Sequence, residues 1–311
     1  MLGKGTSLID KITQCDAHHG AKDVWQAGDE CILGSDGQNE CEWTRLRSGP
    51  KFCCRRYHDA ISYIVKSQGE WPDCRDLPSW WNFLEDRSGQ GEKLYVDIGA
   101  NIGSCLLLMM AQAGVQKSLA FEPNPTNQFY LTSSILANPD IAKKVTLYPV
   151  GLGDKDEVMP IYTEAGNAGN TVVGQAIQTS AKAVGEVKIK SLDNLFFKGG
   201  TPPYIHLMKL DAQGYEVKIM KGANKLFESR NLNAVKFELA TEWLVKQGAS
   251  SAEFVNKFLS YGFQIHDTLT KRPVSPQVLH AKACGPYIVE DFVAVRPKAG
   301  EAVIQKPIAC R

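Results

Sequence analysis

The chain has 311 residues, with 35 Lys+Arg against 34 Asp+Glu and 43% hydrophobic residues. The net charge of +1 excludes binding of nucleic acid by bulk charge, and the length suffices to bury a core without metal or disulfide support. The longest apolar run, residues 105–111, is far below the roughly 20 residues that span a bilayer, so neither a membrane-spanning segment nor a nucleic-acid partner is expected.

The amino terminus lacks the apolar core of a signal peptide, so the chain reads as cytoplasmic by default, or as secretory if a signal precedes this numbering. Six of the nine cysteines (Cys15, Cys31, Cys41, Cys53, Cys54, Cys74) precede residue 93, as do five of the six tryptophans. That shift sets a boundary near the polar run 86–93. Residues 1–92 form a Cys/Trp-rich extension, and residues 93–311 form the main domain. The cysteines are open to three readings: a disulfide framework in an oxidising compartment, buried reduced thiols, or a zinc site, which lacks C-x-x-C spacing here. Trp80 and Trp81 are read as core residues, or else as a stacking platform beside a ligand pocket.

From residue 93 apolar runs alternate with helical ones. Strands are expected at 93–97, 118–122, 145–152, 186–190, 204–210, 234–239, 263–266 and 291–295. Helices are expected at 104–114, 127–137, 215–227 and 251–260, the last capped by Ser250 or Ser251. This alternation implies an α/β fold with a mostly parallel twisted sheet and helices on both faces. Ligands of such sheets sit beyond the carboxyl ends of the strands.

Those ends carry the chemistry. The first ends in Asp97, then Gly99, Asn101 and Gly103, a tight turn that is not the dinucleotide fingerprint. The second ends in Glu122, placed to take the two hydroxyls of a ribose, and is followed by Pro123 and Asn124. Asp211 ends the 204–210 strand, Glu216 opens the next helix, and Glu238 interrupts an apolar strand. His206 and His266 carry no partner pattern and read as structural.

The segments VDIGANIGS, FEPNP, KLDAQGYEVKIMKGA and VKFELA resemble the FkbM-type methyltransferases over about residues 93–296. The resemblance implies a Rossmann-like fold and an S-adenosylmethionine-dependent enzyme that methylates a hydroxyl of a sugar, glycan or other small molecule. It implies that Asp97, Gly99, Asn101, Gly103, Glu122, Pro123 and Asn124 bind the cofactor, with Asn138, Gly153 and Asp154 toward the adenine. Asp211, Glu216 and Glu238 would face the acceptor, with Asp211 the first choice of base and Glu238 the second. Asp211 and Glu238 could instead hold Mg2+. The alternatives are a non-catalytic binding protein that retains the fold, and a nicotinamide-dependent oxidoreductase.

Overall fold

The computed structural model describes residues 13–14, 24–26, 31–34, 39–56, 59–89, 91–164, 167–176, 181–198, 200–298 and 300–310. Ahead of the main domain come β1 (Thr13–Gln14), β2 (Trp25–Gln26), β3 (Cys31–Ile32) and a hairpin of β4 (Glu42–Arg45) and β5 (Lys51–Cys54). Helix α1 (Ala60–Gln68) begins where the Asp59 carboxylate accepts the Ser62 N–H and ends at the left-handed Gly69. A 3-10 turn (Pro72–Cys74) and α2 (Leu77–Phe83) follow.

The main domain opens with β6 (Leu94–Ile98), α3 (Ser104–Gln112), β7 (Lys117–Phe121), α4 (Pro125–Leu136), α5 (Pro139–Ala142) and β8 (Val145–Tyr148). Next come β9 (Gly151–Leu152), β10 (Glu157–Glu164), β11 (Asn167–Val173), β12 (Lys182–Lys190) and α6 (Leu192–Phe196). It continues through β13 (Ile205–Leu210), α7 (Glu216–Lys221), α8 (Asn224–Glu228), β14 (Ala234–Ala240) and α9 (Thr241–Lys246). It closes with α10 (Ser251–Ser260), β15 (Gln264–Asp267), α11 (Pro276–Cys284) and β16 (Val289–Val295). The Ser250 hydroxyl caps α10 by accepting the Glu253 N–H.

The central sheet runs β15-β16-β14-β13-β6-β7-β8-β2. Its inner strands β14, β13, β6, β7 and β8 are mutually parallel, and the antiparallel pairs lie toward its edges. The expected mostly parallel, Rossmann-like sheet is therefore present. Successive strands run outward on either side of β6, so the topological switch falls between β6 and β13. Alternation along the strands divides the core in two. Val96, Ile98, Phe121, Leu210 and Phe237 pack with α7, α8 and α10, while Tyr95, Ala120 and Leu207 pack with α3, α4 and the amino-terminal segment.

Two expected elements are broken. The strand at 145–152 stops at Tyr148, because Pro149 has no N–H for the ladder, and Gly151–Leu152 joins β12 in a separate sheet, β11-β10-β12-β9. The helix at 215–227 splits at Gly222, where a Cβ would stand 1.8 Å from the Gly153 carbonyl oxygen. The β10–β11 hairpin was not foreseen.

The segment before residue 93 shares the second core: Phe52, Trp80 and Trp81 are buried with Leu106 and Leu107 of α3. Three disulfides are present among the described residues: Cys41–Cys53, Cys74–Cys105 and Cys284–Cys310. The second of these joins the 3-10 turn to α3. Cys54 is a buried thiol that burial pushes up to about 12. Cys15 and the side chain of Cys31 lie outside the described residues. Trp80 donates its indole N–H to the Thr268 carbonyl at 2.9 Å, and the Trp81 ring meets His206 edge-on at 4.6 Å. No helix among the described residues is long and apolar enough to cross a membrane.

Candidate active site

A cavity opens to solvent at the carboxyl ends of β6, β7 and β13, where ligands of such sheets sit. Its apolar walls include Ile98, Val150, Leu152, Val173 and Ile219. Its polar groups are Asn101, Glu122, Asn127, Thr171, Asp211, Gln213 and Tyr215, and among the described residues no Lys, Arg or His lines it.

Gly99 turns the chain out of β6 with φ +76°, and a Cβ there would lie 1.9 Å from the Asp211 carbonyl oxygen. Only glycine lets the two strand-end loops meet, which the Asp211 N–H secures by donating to the Ile98 carbonyl at 3.2 Å.

Glu122 follows β7 and is 3% exposed. Its Oε2 accepts the Asn101 N–H at 2.8 Å. Its Oε1 accepts the Asn124 N–H at 2.9 Å and the Asn127 amide at 3.1 Å. An ionised carboxylate offers about four acceptor positions, so Glu122 shapes the loop and retains capacity for a ligand. Burial pushes its carboxyl above the ordinary value; the three donors and the Arg55 guanidinium oppose that shift.

Asp211 lies in the cavity wall, partly exposed. Its Oδ2 accepts from Lys209 Nζ at 3.0 Å and its Oδ1 from the Gln213 amide at 2.9 Å. The Lys209 ammonium, buried at the end of β13, also donates to the Gly99 carbonyl at 3.4 Å and stands 3.7 Å from Asp97 Oδ1. Burial alone would lower the Lys209 pKa, but Asp211 and Asp97 outweigh it and hold the ammonium above its ordinary value. A lysine within the apolar strand Ile205–Leu210 is the sequence signal for this bridge, absent from the expected site residues.

Gly99, Asn101, Glu122, Pro123 and Asp211 thus line one cavity. The remaining assigned residues do not. Asp97 is 0% exposed beneath the loop, where burial raises its carboxyl against the opposing Lys209 charge. Gly103 caps the start of α3. The Asn124 side chain accepts the Thr126 N–H and donates to Thr171 Oγ1 at 2.6 Å, pinning α4 and β11. Asn138 is a clamp on β5, accepting the Lys51 N–H at 2.9 Å and donating to the Lys51 carbonyl at 2.7 Å. Gly153 and Asp154 pack against Gly222.

On the acceptor side, Glu216 is 4% exposed and folds back on its own loop, its Oε1 accepting the Ala212 N–H at 2.8 Å and the Gly214 N–H at 3.1 Å. Burial pushes its carboxyl up to about 7. Glu238 stands directly across from Asp291 in the β14–β16 ladder, outside the cavity wall. Burial, then Asp211 and Asp291, raise the Glu238 carboxyl. Among the described residues no three His, Cys, Asp or Glu side chains converge to hold a metal ion, and a lysine already occupies the inner face of Asp211, so the Mg2+ reading is not supported. His206 bonds to the Trp81 carbonyl at 2.9 Å and His266 to the Lys271 carbonyl at 3.1 Å; burial lowers both, and neither lines the cavity. Nor do Trp80 and Trp81, which removes the stacking-platform reading.

A solved FkbM methyltransferase from Methylobacillus flagellatus KT is similar at 16% identity and a TM-score of 0.40, over 76% of this chain and 56% of that one. The chain therefore spans little more than half the length of that protein. A precorrin-6y C5,15-methyltransferase from Geobacter metallireducens GS-15 is similar at 14% identity and a TM-score of 0.38, over 79% of this chain and 94% of that one. A human methyltransferase 10 domain containing protein is similar at 10% identity and a TM-score of 0.39, over 76% and 93%. No curated protein matches the chain significantly. The model of the methyltransferase FkbM domain matches residues 97–265, more than half of the sequence, and the chain belongs to the FkbM methyltransferase family.

Proposed function

We propose that the chain is an S-adenosylmethionine-dependent O-methyltransferase whose acceptor is a hydroxyl on a sugar, glycan or other small molecule. The observation that carries the cofactor reading is the charge of the cavity. Among the described residues two carboxylates, Glu122 and Asp211, line it and no basic side chain does. Such a wall suits a ligand carrying a sulfonium, an ammonium and a ribose diol, and repels a pyrophosphate, which favours the adenosyl donor over a nicotinamide dinucleotide. The residues fit that donor: Glu122 for the diol, the backbone around Gly99 and Asn101 for the methionine portion, and Val150, Leu152 and Ile219 for the purine.

The bound donor supplies a methyl group already activated on sulfur. The protein then has to align the acceptor oxygen and receive its proton. Asp211 is the carboxylate for that proton, because it is partly exposed at the cavity and held in one orientation by Lys209 and Gln213. Asn101 and Asn127 fix Glu122 from two sides, so the diol would meet a pre-set acceptor. The three disulfides favour an oxidising compartment as the place of action.

Calorimetric titration of the full chain with S-adenosylmethionine, S-adenosylhomocysteine and NAD tests the reading, with Glu122→Ala as control. Micromolar binding of both adenosyl ligands, weakened by the substitution and absent for NAD, is expected. A folded chain that binds neither adenosyl ligand would falsify the cofactor assignment. Transfer of labelled methyl from the donor to a panel of hydroxylated acceptors tests the rest. Transfer to amines or thiols but not to hydroxyls would overturn the O-methyl reading.

A further inference from the structure

Residue Arg55 lies outside the matched domain, just after β5 in the Cys/Trp-rich extension, and is 4% exposed. One guanidinium nitrogen donates to Asp59 Oδ1 at 3.1 Å, and the other terminal nitrogen donates to the Asn127 side-chain carbonyl. That bond fixes which way the Asn127 amide points: its carbonyl faces Arg55, so its NH2 faces Glu122 and donates to Oε1 at 3.1 Å. The guanidinium stacks over the Tyr130 ring at 5.0 Å, and its backbone N–H donates to Ser62 Oγ at 2.9 Å, so its placement is fixed on three sides. Asn127 itself lines the cavity.

We propose that Arg55 is a positioning residue of the cofactor site, fixing the Asn127 amide and supplying the counter-charge of Glu122. This rests on the reading of Glu122 as the ligand of the ribose diol. A diol hydroxyl is bound best by an ionised carboxylate, and Glu122 Oε2, which accepts one N–H, keeps a position for it. Burial works against ionisation of Glu122; the Asn124, Asn127 and Asn101 donors work for it, and the Arg55 charge adds to them behind Asn127. The extension is then part of the active site rather than an appendage to it. The surroundings of Glu122 leave few other candidates. The extension side presents Arg55 with Asp59 bound to it, and β13 presents Asp211 on another wall. The β6–α3 loop, α4 and the hairpin present neutral groups, namely Asn101, Asn124, Asn127 and Thr171.

The test is calorimetric titration of S-adenosylhomocysteine into the full chain at pH 6.5 and pH 8.5, comparing wild type with R55M/D59N, E122Q and the triple variant. The D59N change avoids a stranded buried charge and keeps an acceptor for the Ser62 N–H. Loss of the counter-charge costs roughly tenfold in affinity at the lower pH for each unit by which the Glu122 pKa rises above that pH, and recovers as pH rises and Glu122 ionises. The triple variant should bind no more weakly than E122Q. Arg55→Lys, which keeps the charge, should abolish the pH dependence while retaining part of the loss. If R55M/D59N does not fold, R55K alone still decides: the same pH-dependent loss in R55K would overturn the proposal. So would wild-type affinity in a folded R55M/D59N, or a pH-independent loss that adds to that of E122Q. Failure of the wild type to bind is a different outcome, visible before any variant, and sinks the cofactor reading itself.

Discussion

Replacing Lys209 by Met removes the ammonium that pairs with Asp97, a fully buried carboxylate, and one of two bonds that orient Asp211 among the described residues. At 3.7 Å and an effective dielectric of about 20, the Lys209–Asp97 attraction alone is about 4.5 kcal/mol, most of it offset by desolvation of the two ions. The Asp211 pair is more open to water and adds less. Breaking the bridge from one side strands Asp97, for which about 3–5 kcal/mol of lost stability is expected near pH 7.5. The pH dependence fixes the mechanism. In the wild type the Lys209 pKa is held above its ordinary 10.5, so its contribution is fully present below that value and constant between pH 5 and 8. In K209M, Asp97 loses its cation and its folded pKa climbs further above the unfolded one. The folded state then binds more protons than the unfolded state, and stability falls as pH rises, by up to about 1.4 kcal/mol per pH unit. Urea unfolding of wild type, K209M and K209M/D97N at pH 5, 6.5 and 8 reads this directly. The single variant should approach wild type at pH 5 and diverge by pH 8, and the double variant should recover most of the loss. A K209M loss under about 1 kcal/mol at pH 8, or a double variant no better than the single, would refute the bridge as a buried charge device.

Two further outcomes follow from the same loops. Glu216, with its carboxyl pushed from 4.5 up to about 7, makes the wild type lose stability as pH rises through that window, since only the unfolded state ionises there. Glu216→Gln keeps an acceptor for the Ala212 and Gly214 N–H groups, so urea unfolding between pH 4.5 and 7.5 should show that slope reduced; an unchanged slope would mean that Glu216 does not titrate there. The Cys74–Cys105 bridge, with a sequence separation of 31, restricts the unfolded chain by roughly 3.5 kcal/mol. Replacing both cysteines by Ala should lower urea-measured stability by about that much, and a change below about 1 kcal/mol would show that packing alone holds the extension.

The strand ends were legible in the sequence because glycines, acids and prolines there break apolar periodicity. Gly99, Glu122 and Asp211 could be found by position alone, and all three line the cavity. Glu216 and Asp97 carried the same signature and do not line the cavity. A sequence shows that a carboxylate follows a strand, not whether the cavity reaches it. Residues 215–227 read as one helix because their apolar spacing is continuous. Only the close approach of Gly222 to Gly153, far away in sequence, breaks it. The β10–β11 hairpin gave no clear signal, since Pro160 interrupts the first strand and Asn167, Gly169 and Asn170 open the second, yet it supplies Thr171 and Val173 to the cavity wall.

By itself the sequence determined the class of fold, the order of the parallel strands' acids and glycines, and the family. Each of these depends on local periodicity and on motifs contiguous in the chain. The tertiary structure decided which cysteines pair, that the amino-terminal segment shares a core with the sheet, and that Arg55, Asn127 and Lys209 stand behind the two acids of the cavity. Those facts depend on residues between 2 and 110 positions apart meeting in space, where burial and charge set their chemistry.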